Sequence, residues 1–395
     1  MPTSALRKNL TLMGKLLRNR SIIIWILVHR APKLKRADVG IGPYGVNDKS
    51  QFRKGVEWMP ELEIKDLCVT FPTPAGAVQA VRGISFQLQP GHTLALVGES
   101  GSGKSVTGRA IMGLNPKRAI ASGEILLDGT DLLPLSEAEL CPIRGKRIAM
   151  VFQDPMSSLN PIMRIGKQIT EVMDLPPKQA KEKALNLLRE VGIRDPEGCF
   201  RQYPFQLSGG MRQRIVIAIA LAADPEILIC DEPTTALDVT IQAQILALLN
   251  RLKQQRGLSM LFITHDFGVV ANVADDIAVM YAGKIIEYGT AEEVFYDPRH
   301  PYTWALLSAM PDIGSTGRLY AIPGTPPNMT CPPAGDAFAA RNPQALQIDF
   351  EKEPPPFYVS DSHWAATWLL DPRAPKAEMP QILRQRLKGS GKLGN

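Results

Sequence analysis

The residues whose types and spacing point most directly to chemistry lie between Gly98 and Val106. Their order, G-x-x-x-x-G-K-S, is that of a phosphate-binding loop. Glycines let backbone N–H groups converge on phosphate oxygens, the lysine reaches the β- and γ-phosphates, and the serine hydroxyl binds Mg²⁺. The candidate nucleotide-binding residues of this phosphate loop are Gly98, Glu99, Ser100, Gly101, Ser102, Gly103, Lys104, Ser105 and Val106.

The elements around the phosphate loop support this interpretation. The apolar run Thr93–Val97 predicts a buried strand before the loop, and Val106–Leu114 predicts a helix after it. The positive end of that helix would face bound phosphates. The alternative is a chance match on a flexible loop, which the flanking strand and helix disfavour.

Further apolar runs predict the sheet that carries the loop. Leu62–Leu67 and Ser85–Leu88 alternate apolar with polar residues, as half-buried strands do, with a proline-containing loop between them. Compact strands are predicted at Glu226–Cys230 and Met260–Thr264, and a helix is predicted at Gln179–Val191. Because strands alternate with helices, the sequence predicts an α/β fold whose mostly parallel sheet is covered on both faces.

Three more polar side chains follow predicted strands. Asp231 and Glu232 end one strand and His265 ends another, so all should lie at the edge of the sheet that carries the phosphate loop. An acid in the position of Asp231 can hold Mg²⁺, which leaves the next carboxylate free to activate water. Adjacent acids are sometimes ordinary surface residues, but seldom beside a phosphate loop. No N-K-x-D base-reading stretch occurs, which disfavours a GTPase.

Composition excludes several classes of protein. The 395 residues suggest two or three domains, and five scattered cysteines without a C-x-x-C pair indicate a reducing compartment and disfavour a disulfide framework or zinc ribbon. No apolar run approaches the roughly 20 residues that span a bilayer.

Nine Lys or Arg residues and no acid occur up to Arg36, so residues 1–60 are predicted to form a basic N-terminal extension. Its apolar stretch Ser21–His29 is either an interfacial helix on anionic lipid, or part of a tail that is disordered or packs on a neighbour.

The segment Leu207–Arg214, LSGGMRQR, resembles the signature sequence of ABC-transporter ATPases. With the phosphate loop, Gln153, Asp231–Glu232 and His265, it completes that family's motifs in the family's order over residues 61–297. The resemblance implies a P-loop NTPase of the ABC ATPase class. Such a domain has a RecA-like core sheet, an antiparallel β subdomain and a helical subdomain, here at about 155–225.

The resemblance also implies roles in a head-to-tail dimer with ATP between two subunits. Glu232 would be the general base, His265 would contact the γ-phosphate, and Gln153 would bind Mg²⁺ or water and sense the transmembrane partner. The metal would be held by Ser105, Gln153 and Asp231. The nucleotide would also meet residues outside the phosphate loop: Ser208, Gly209 and Gly210 for the partner's γ-phosphate, Asp238 at the dimer seam and Phe71 on adenine.

The C-terminal region, residues 298–395, is loop-rich and indicates which branch of the family the chain resembles. Asp297–Thr303 and Ile322–Pro327 look like the C-terminal region of oligopeptide and dipeptide importer ATPases, especially the D-type subunit of Gram-positive oligopeptide permeases. Many relatives bind an iron–sulfur cluster there through cysteines. In this chain Asp336, Asn342, Asp349 and Thr367 stand in those places, and we predict no cluster because these side chains replace thiolates poorly. The last residues, Leu387–Asn395, are predicted to be a polar tail.

The family implies a peripheral ATPase on the cytoplasmic face of the cell membrane that drives oligopeptide import. Its expected partners are a second, related ABC ATPase subunit, two transmembrane permease subunits and an extracellular peptide-binding protein acting through them. A homodimer is the alternative to the heterodimer, and dipeptides, nickel or glycosides are alternative substrates. A soluble ABC ATPase acting on DNA or ribosomes is disfavoured because no second cassette, coiled coil or zinc insertion is present. We therefore expect no nucleic-acid partner.

Overall fold

The computed structural model describes residues 61–235, 237–310 and 321–389. The predicted N-terminal extension, with its apolar stretch Ser21–His29, lies outside the described residues. The described chain forms two compact units. The helical unit comprises residues 136–147 and 155–224, and the sheet unit comprises residues 61–135, 148–154 and the described residues from 225 onward.

Twelve strands are found among the described residues, all of them in the sheet unit. They are β1 Leu62–Thr73, β2 Gly76–Leu88, β3 Thr93–Val97, β4 Ile120–Leu127, β5 Thr130–Asp131, β6 Ile148–Val151, β7 Ile227–Asp231, β8 Ser259–Thr264, β9 Asp276–Tyr281, β10 Lys284–Thr290, β11 Phe357–Tyr358 and β12 Trp364–Ala365.

The helices are divided between the two units. The sheet unit holds α1 Lys104–Ile111, and the helical unit holds α2 Glu137–Leu140, α3 Pro155–Ser158, α4 Ile165–Thr170, α5 Pro177–Glu190, α6 Pro196–Arg201 and α7 Gly209–Leu221. The sheet unit continues with α8 Val239–Arg256, α9 Phe267–Val270, α10 Ala291–Tyr296, α11 Pro301–Ser308 and α12 Gln381–Gly389.

The larger sheet has the strand order β11-β12-β10-β9-β3-β8-β7-β6. The run from β9 to β6 is parallel, and β10, β12 and β11 join antiparallel. Every residue of β3, β7 and β8 is buried, as expected for parallel strands covered on both faces. The predicted parallel sheet is confirmed, and the carboxyl ends of β3, β6, β7 and β8 form one edge.

The smaller sheet is antiparallel, in the order β2-β1-β4-β5. The sequence predicted two short strands separated by a loop, and this was wrong in extent. β1 and β2 run on to a tight hairpin whose last pair is Thr73 with Gly76. β4 pairs with β1 only as far as Thr70, so Pro72 lies where β1 has no neighbour on that side. A proline is tolerated there because no ladder bond needs its N–H.

The C-terminal region is joined to the larger sheet and shares a hydrophobic core with its strands β3 and β9. β12 pairs with β10 through Ala365 with Glu287. Tyr281, Tyr302 and Phe338 pack ring against ring, and Leu387 is 5% exposed within the same core. The predicted polar tail starts too early, because Leu387 is buried on α12, and residues 390–395 of that prediction lie outside the described residues. In the part of the chain that the structure describes, every helix falls short of the length and apolar character that a bilayer crossing needs.

Candidate nucleotide-binding and ATPase site

The phosphate loop leaves the buried strand β3 and enters α1 at Lys104. Two of its glycines are required by close backbone approaches. A Cβ on Gly98 would lie closer than 3.0 Å to the carbonyl oxygen of Met280, and one on Gly103 would be as close to the carbonyl oxygen of Ala80. Gly103 also has φ 104, which favours glycine. The loop is thus wedged between β9 and β2, and only a chain without side chains at these points fits.

Lys104 lies inside the loop rather than in solvent. Its Nζ donates to the carbonyl oxygens of Gly98 at 2.6 Å and Glu99 at 2.8 Å, and to Ser102 Oγ at 3.3 Å. Burial lowers the pKa of Lys104 to about 8, although the carboxylates of Glu232, Asp231 and Glu99 act in the opposite direction. The ammonium group is held within a ring of oxygens, ready for an anionic ligand.

Asp231 and Ser105 form the first contact between the end of β7 and the loop. Ser105 Oγ donates to Asp231 Oδ1 at 2.6 Å. The second oxygen, Asp231 Oδ2, is buried without a hydrogen-bond partner, and burial raises the pKa of this carboxyl. A buried carboxylate oxygen without a donor is costly, and a cation would supply the missing partner. The donors present therefore fit a hard divalent cation such as Mg²⁺.

Glu232 gathers side chains from the ends of three strands. Its Oε2 accepts from Gln153 Nε2 at 2.7 Å and from Thr235 Oγ1 at 3.0 Å, and His265 Nδ1 lies 3.2 Å from Oε1. Glu232 is 8% exposed, whereas half of the His265 side chain is exposed. The structure thus brings Glu232 and His265 together at one edge, as the strand ends predicted, and adds Gln153, which the family resemblance had assigned to the site. It adds Thr235, which the repeated threonines after Pro233 could have suggested.

The backbone at Glu232 is strained. Its φ is 48, in the left-handed region that residues with a side chain seldom adopt, and its N–H donates to the carbonyl oxygen of Ile263 at 2.9 Å. Such a conformation costs on the order of 1–3 kcal/mol and persists where neighbouring contacts enforce it. The bend turns the carboxylate out of β7 toward Gln153 and His265.

The signature residues lie in the helical unit at the start of α7. Ser208 caps this helix, its Oγ accepting from Met211 N–H at 3.4 Å, and Gly209 and Gly210 form the first turn. The helix start therefore offers backbone N–H groups without side chains in front of them, which suits an anion. In the sheet unit, Asp238 caps α8 in the same way, accepting from Ile241 N–H at 2.9 Å.

The remaining predicted nucleotide contacts are also placed. Ser100 and Gly101 are exposed at the tip of the loop, Ser102 is buried, and Val106 is half-buried on α1. Phe71 is half-buried on β1 and pairs with Val78 on β2. It thus stands on the same hairpin as Ala80, whose carbonyl oxygen abuts Gly103. Its contact with adenine stays a prediction.

The four side chains in the places of the cluster cysteines are buried and engaged locally. Each accepts a hydrogen bond from a nearby backbone N–H: Asp336 from Phe338, Asn342 from Gln344 and Thr367 from Leu369, each two residues later, and Asp349 from Leu346, three residues earlier. Burial also raises the pKa of Asp336 to about 7. These groups act as turn caps, and the absence of a cluster stays a prediction.

Comparison with known proteins fits this architecture. The family described as "ABC transporter" matches residues 81–235. A solved dimeric bacterial ABC transporter cassette is 27% identical, with a TM-score of 0.53, over 58% of this chain and 98% of its own. CbiO1 of Clostridium perfringens, part of an ABC transporter complex, is 29% identical with a TM-score of 0.52, over 60% of this chain and 90% of its own. The fold and site are those of an ABC transporter ATPase.

The particular branch follows from the C-terminal region and the curated relatives. Residues 286–348 match the "Oligopeptide/dipeptide transporter, C-terminal region". The oligopeptide transport ATP-binding protein OppD of Bacillus subtilis is 58% identical over 83% of this chain and 94% of its own length. The dipeptide transport ATP-binding protein DppD of Lactococcus lactis is 61% identical over 83% and 96%. The chain belongs to the ATP-binding subunits of oligopeptide and dipeptide ABC transporters, and it is the ATPase subunit of such an importer. The resemblance seen in the motifs is confirmed.

Proposed function

We propose that this chain hydrolyses Mg²⁺-bound ATP in a site that a second, related ABC ATPase subunit completes, and that the cycle drives oligopeptide uptake. The observation that carries the proposal is the set Gln153, Glu232 and His265 at one sheet edge, beside the phosphate loop and the Ser105–Asp231 contact. Ser105, Gln153 and Asp231 would hold Mg²⁺, which when bound neutralises charge on the phosphates.

The protein groups divide the chemistry among themselves. The loop N–H groups and Lys104 bind the phosphates and exclude water from them. Glu232 accepts the proton of the attacking water, and His265 lies against that carboxylate and contacts the γ-phosphate. Gln153 and Thr235 both bond to Glu232 Oε2, so Oε1, which faces His265, is the oxygen with a lone pair left for the attacking water.

The second half of the site comes from the partner subunit. Ser208, Gly209 and Gly210 of one subunit would donate to the γ-phosphate held by the phosphate loop of the other, and Asp238 would lie at the seam. We infer that the pair is a heterodimer docked on two permease subunits at the cytoplasmic face of the membrane. An extracellular binding protein would deliver the peptide through the permease.

Glu232→Gln tests the catalytic assignment in the assembled complex. The amide keeps the shape of the side chain but cannot take a proton, so ATP binding should be retained while turnover falls by about 10²–10⁴. Glu63→Gln, which removes an exposed carboxylate paired only with Lys65, is the control and should hydrolyse normally. Wild-type turnover in Glu232→Gln would refute the assignment.

Uptake of peptides of graded length tests the substrate. Cells lacking this chain should lose uptake of peptides longer than two residues and regain it when the chain is restored. The second candidate is a dipeptide importer, favoured by the identity to the Lactococcus protein. Loss of dipeptide uptake, with uptake of longer peptides unchanged, would support this second candidate. Co-purification of one or of two kinds of ATPase subunit separates the homodimer from the heterodimer.

A further inference from the structure

The C-terminal region reaches the phosphate loop through Arg341. Its Nη1 donates to Glu99 Oε2 at 2.7 Å, and its Nη2 donates to Glu99 Oε1 at 3.0 Å. Two parallel bonds between planar groups make a strong and directional ion pair. The two residues are 242 positions apart in the sequence. The pair therefore connects the C-terminal region to Glu99, the second residue of the phosphate loop.

Arg341 is fixed before it meets Glu99. Its Nε donates to the carbonyl oxygen of Pro323 at 2.7 Å, and its Nη1 also donates to Tyr281 Oη at 3.1 Å. The guanidinium carbon lies 5.7 Å from the centre of the Tyr281 ring and 5.8 Å from that of Phe338. Arg341 is only 7% exposed. Glu99 thus meets a partner whose position is set by the core that the C-terminal region shares with β9.

Glu99 is bonded through all of its polar groups. Besides the carboxylate, its backbone N–H donates to Tyr302 Oη at 2.8 Å, and its carbonyl oxygen accepts from Lys104 Nζ at 2.8 Å. Tyr302 is fully buried on α11. Glu99 is therefore the point at which α11 and Arg341 act on Lys104, the residue that binds phosphate. A shift of Glu99 would move one of the oxygens that position the lysine ammonium group.

The charge of Glu99 also requires its partner. A lone carboxylate in the phosphate loop would repel the polyanionic triphosphate, and its low exposure would leave that repulsion poorly screened. The guanidinium cancels this charge without competing for the phosphates, since both its terminal nitrogens already face Glu99. Arg341 can therefore favour nucleotide binding without contacting nucleotide.

We propose that Arg341 is a positioning residue of the nucleotide site, which fixes the phosphate loop through Glu99 and cancels a carboxylate charge that would repel ATP. The proposal rests on ATP binding by this chain. It does not depend on the transported peptide, the permease or the identity of the second ATPase subunit. It makes the C-terminal region part of the nucleotide-binding machinery.

Calorimetric binding of ADP and of a non-hydrolysable ATP analogue to the full chain tests the proposal. Arg341→Gln should weaken binding of the ATP analogue about tenfold or more, because it leaves the partly buried Glu99 carboxylate uncompensated beside the phosphates. The affinity for ADP, which carries less negative charge than the ATP analogue, should fall by a smaller factor. Glu99→Gln in the Arg341→Gln background should recover most of the affinity, since it removes the repelling charge. Arg341→Lys, which keeps the charge, should give intermediate affinity. This variant takes the place of Arg341→Gln in the experiment if Arg341→Gln does not fold.

Glu353→Gln is the matched control. The Glu353 carboxylate bonds Arg82 of β2 and Lys284 of β10, so it also joins the C-terminal region to the sheet but makes no bond to the phosphate loop. The affinity of the Glu353→Gln variant for the ATP analogue should stay within about twofold of that of the unaltered chain. Unchanged affinity in Arg341→Gln, an equal loss in Glu353→Gln, or no recovery with Glu99→Gln would each overturn the proposal. Failure of the unaltered chain to bind would instead contradict the nucleotide site itself.

Discussion

Lys104 predicts a pH dependence of nucleotide binding. With a pKa of about 8 in the nucleotide-free protein, this side chain loses its charge within a readily accessible pH range. Bound phosphates lie against the ammonium group and favour its charged form, which raises its pKa again. Binding must therefore take up a proton wherever the free protein has already lost one, and affinity must fall as pH rises through 8.

The size of the effect follows from the pKa. The charged fraction of free Lys104 is about nine-tenths at pH 7 and about one-tenth at pH 9. If the bound form stays charged over this range, the binding constant falls about tenfold between these two values, with a slope approaching one decade per pH unit. The nucleotide itself adds little to the slope, because a terminal phosphate with a pKa near 6 is ionised throughout.

Titration calorimetry of a non-hydrolysable ATP analogue measures both quantities. Runs in two buffers of different ionisation enthalpy should give an uptake of about half a proton at pH 8 and about nine-tenths at pH 9. Lys104→Arg keeps its charge at every pH used, so its affinity, though lower, should not change with pH. A flat profile in the unaltered chain, or the same decline in Lys104→Arg, would refute the reasoning.

The same buried ammonium group affects stability. Between pH 8 and the ordinary lysine pKa, the unfolded chain binds more protons than the nucleotide-free protein, so this group's contribution to the free energy of unfolding rises with pH. Below pH 8 the protein bears the full cost of burying the charge. Lys104→Met should accordingly raise the Tm at pH 7 while it abolishes nucleotide binding.

Two further pairs of substitutions give distinct expectations. Gly98→Ala should abolish nucleotide binding, because its Cβ meets the Met280 carbonyl, whereas Gly101→Ala, with no atom within 4 Å, should cost only about 1–2 kcal/mol of backbone strain and still bind. Ser208→Ala should lose about 1 kcal/mol of stability as a lost helix cap, and the assembled complex should lose most ATPase activity. Asp195→Ala removes the cap of α6 in the same unit and is the matched control. It should lower the Tm by as much as Ser208→Ala does, while the ATPase turnover of the assembled complex stays normal.

Sequence patterns predicted those parts of the site in which neighbours in the chain act together. The phosphate loop and the pair Asp231–Glu232 are local motifs that spacing identified, whereas the start of α7 was identified by its resemblance to the family's signature sequence. The meeting of Glu232 and His265 was expected because the carboxyl ends of parallel strands share one edge of the sheet, and Gln153 was added by the family resemblance. Here the fold class was enough to bring distant residues together.

Contacts made by irregular segments could not be read in this way. Nothing in the spacing of Arg341 relates it to Glu99, since no periodic element connects the two. The left-handed conformation of Glu232 was equally invisible, because a glutamate does not mark such a position as a glycine would. The buried Leu387 was hidden among polar neighbours, and only the packing of α12 against the core shows that it is not part of a tail.

The pairing of β12 with β10 has a consequence for dissecting the protein. β10 is followed by α10 and then by the C-terminal region, and Glu287 and Tyr288 pair with residues 365 and 364 from that region. A chain cut after residue 297 would leave β10 as a bare edge strand, with unpaired N–H and C=O groups and freshly uncovered aromatic rings. Such a fragment is a template for edge-to-edge aggregation. Poor behaviour of a truncated ATPase domain would thus report an opened sheet rather than a missing activity.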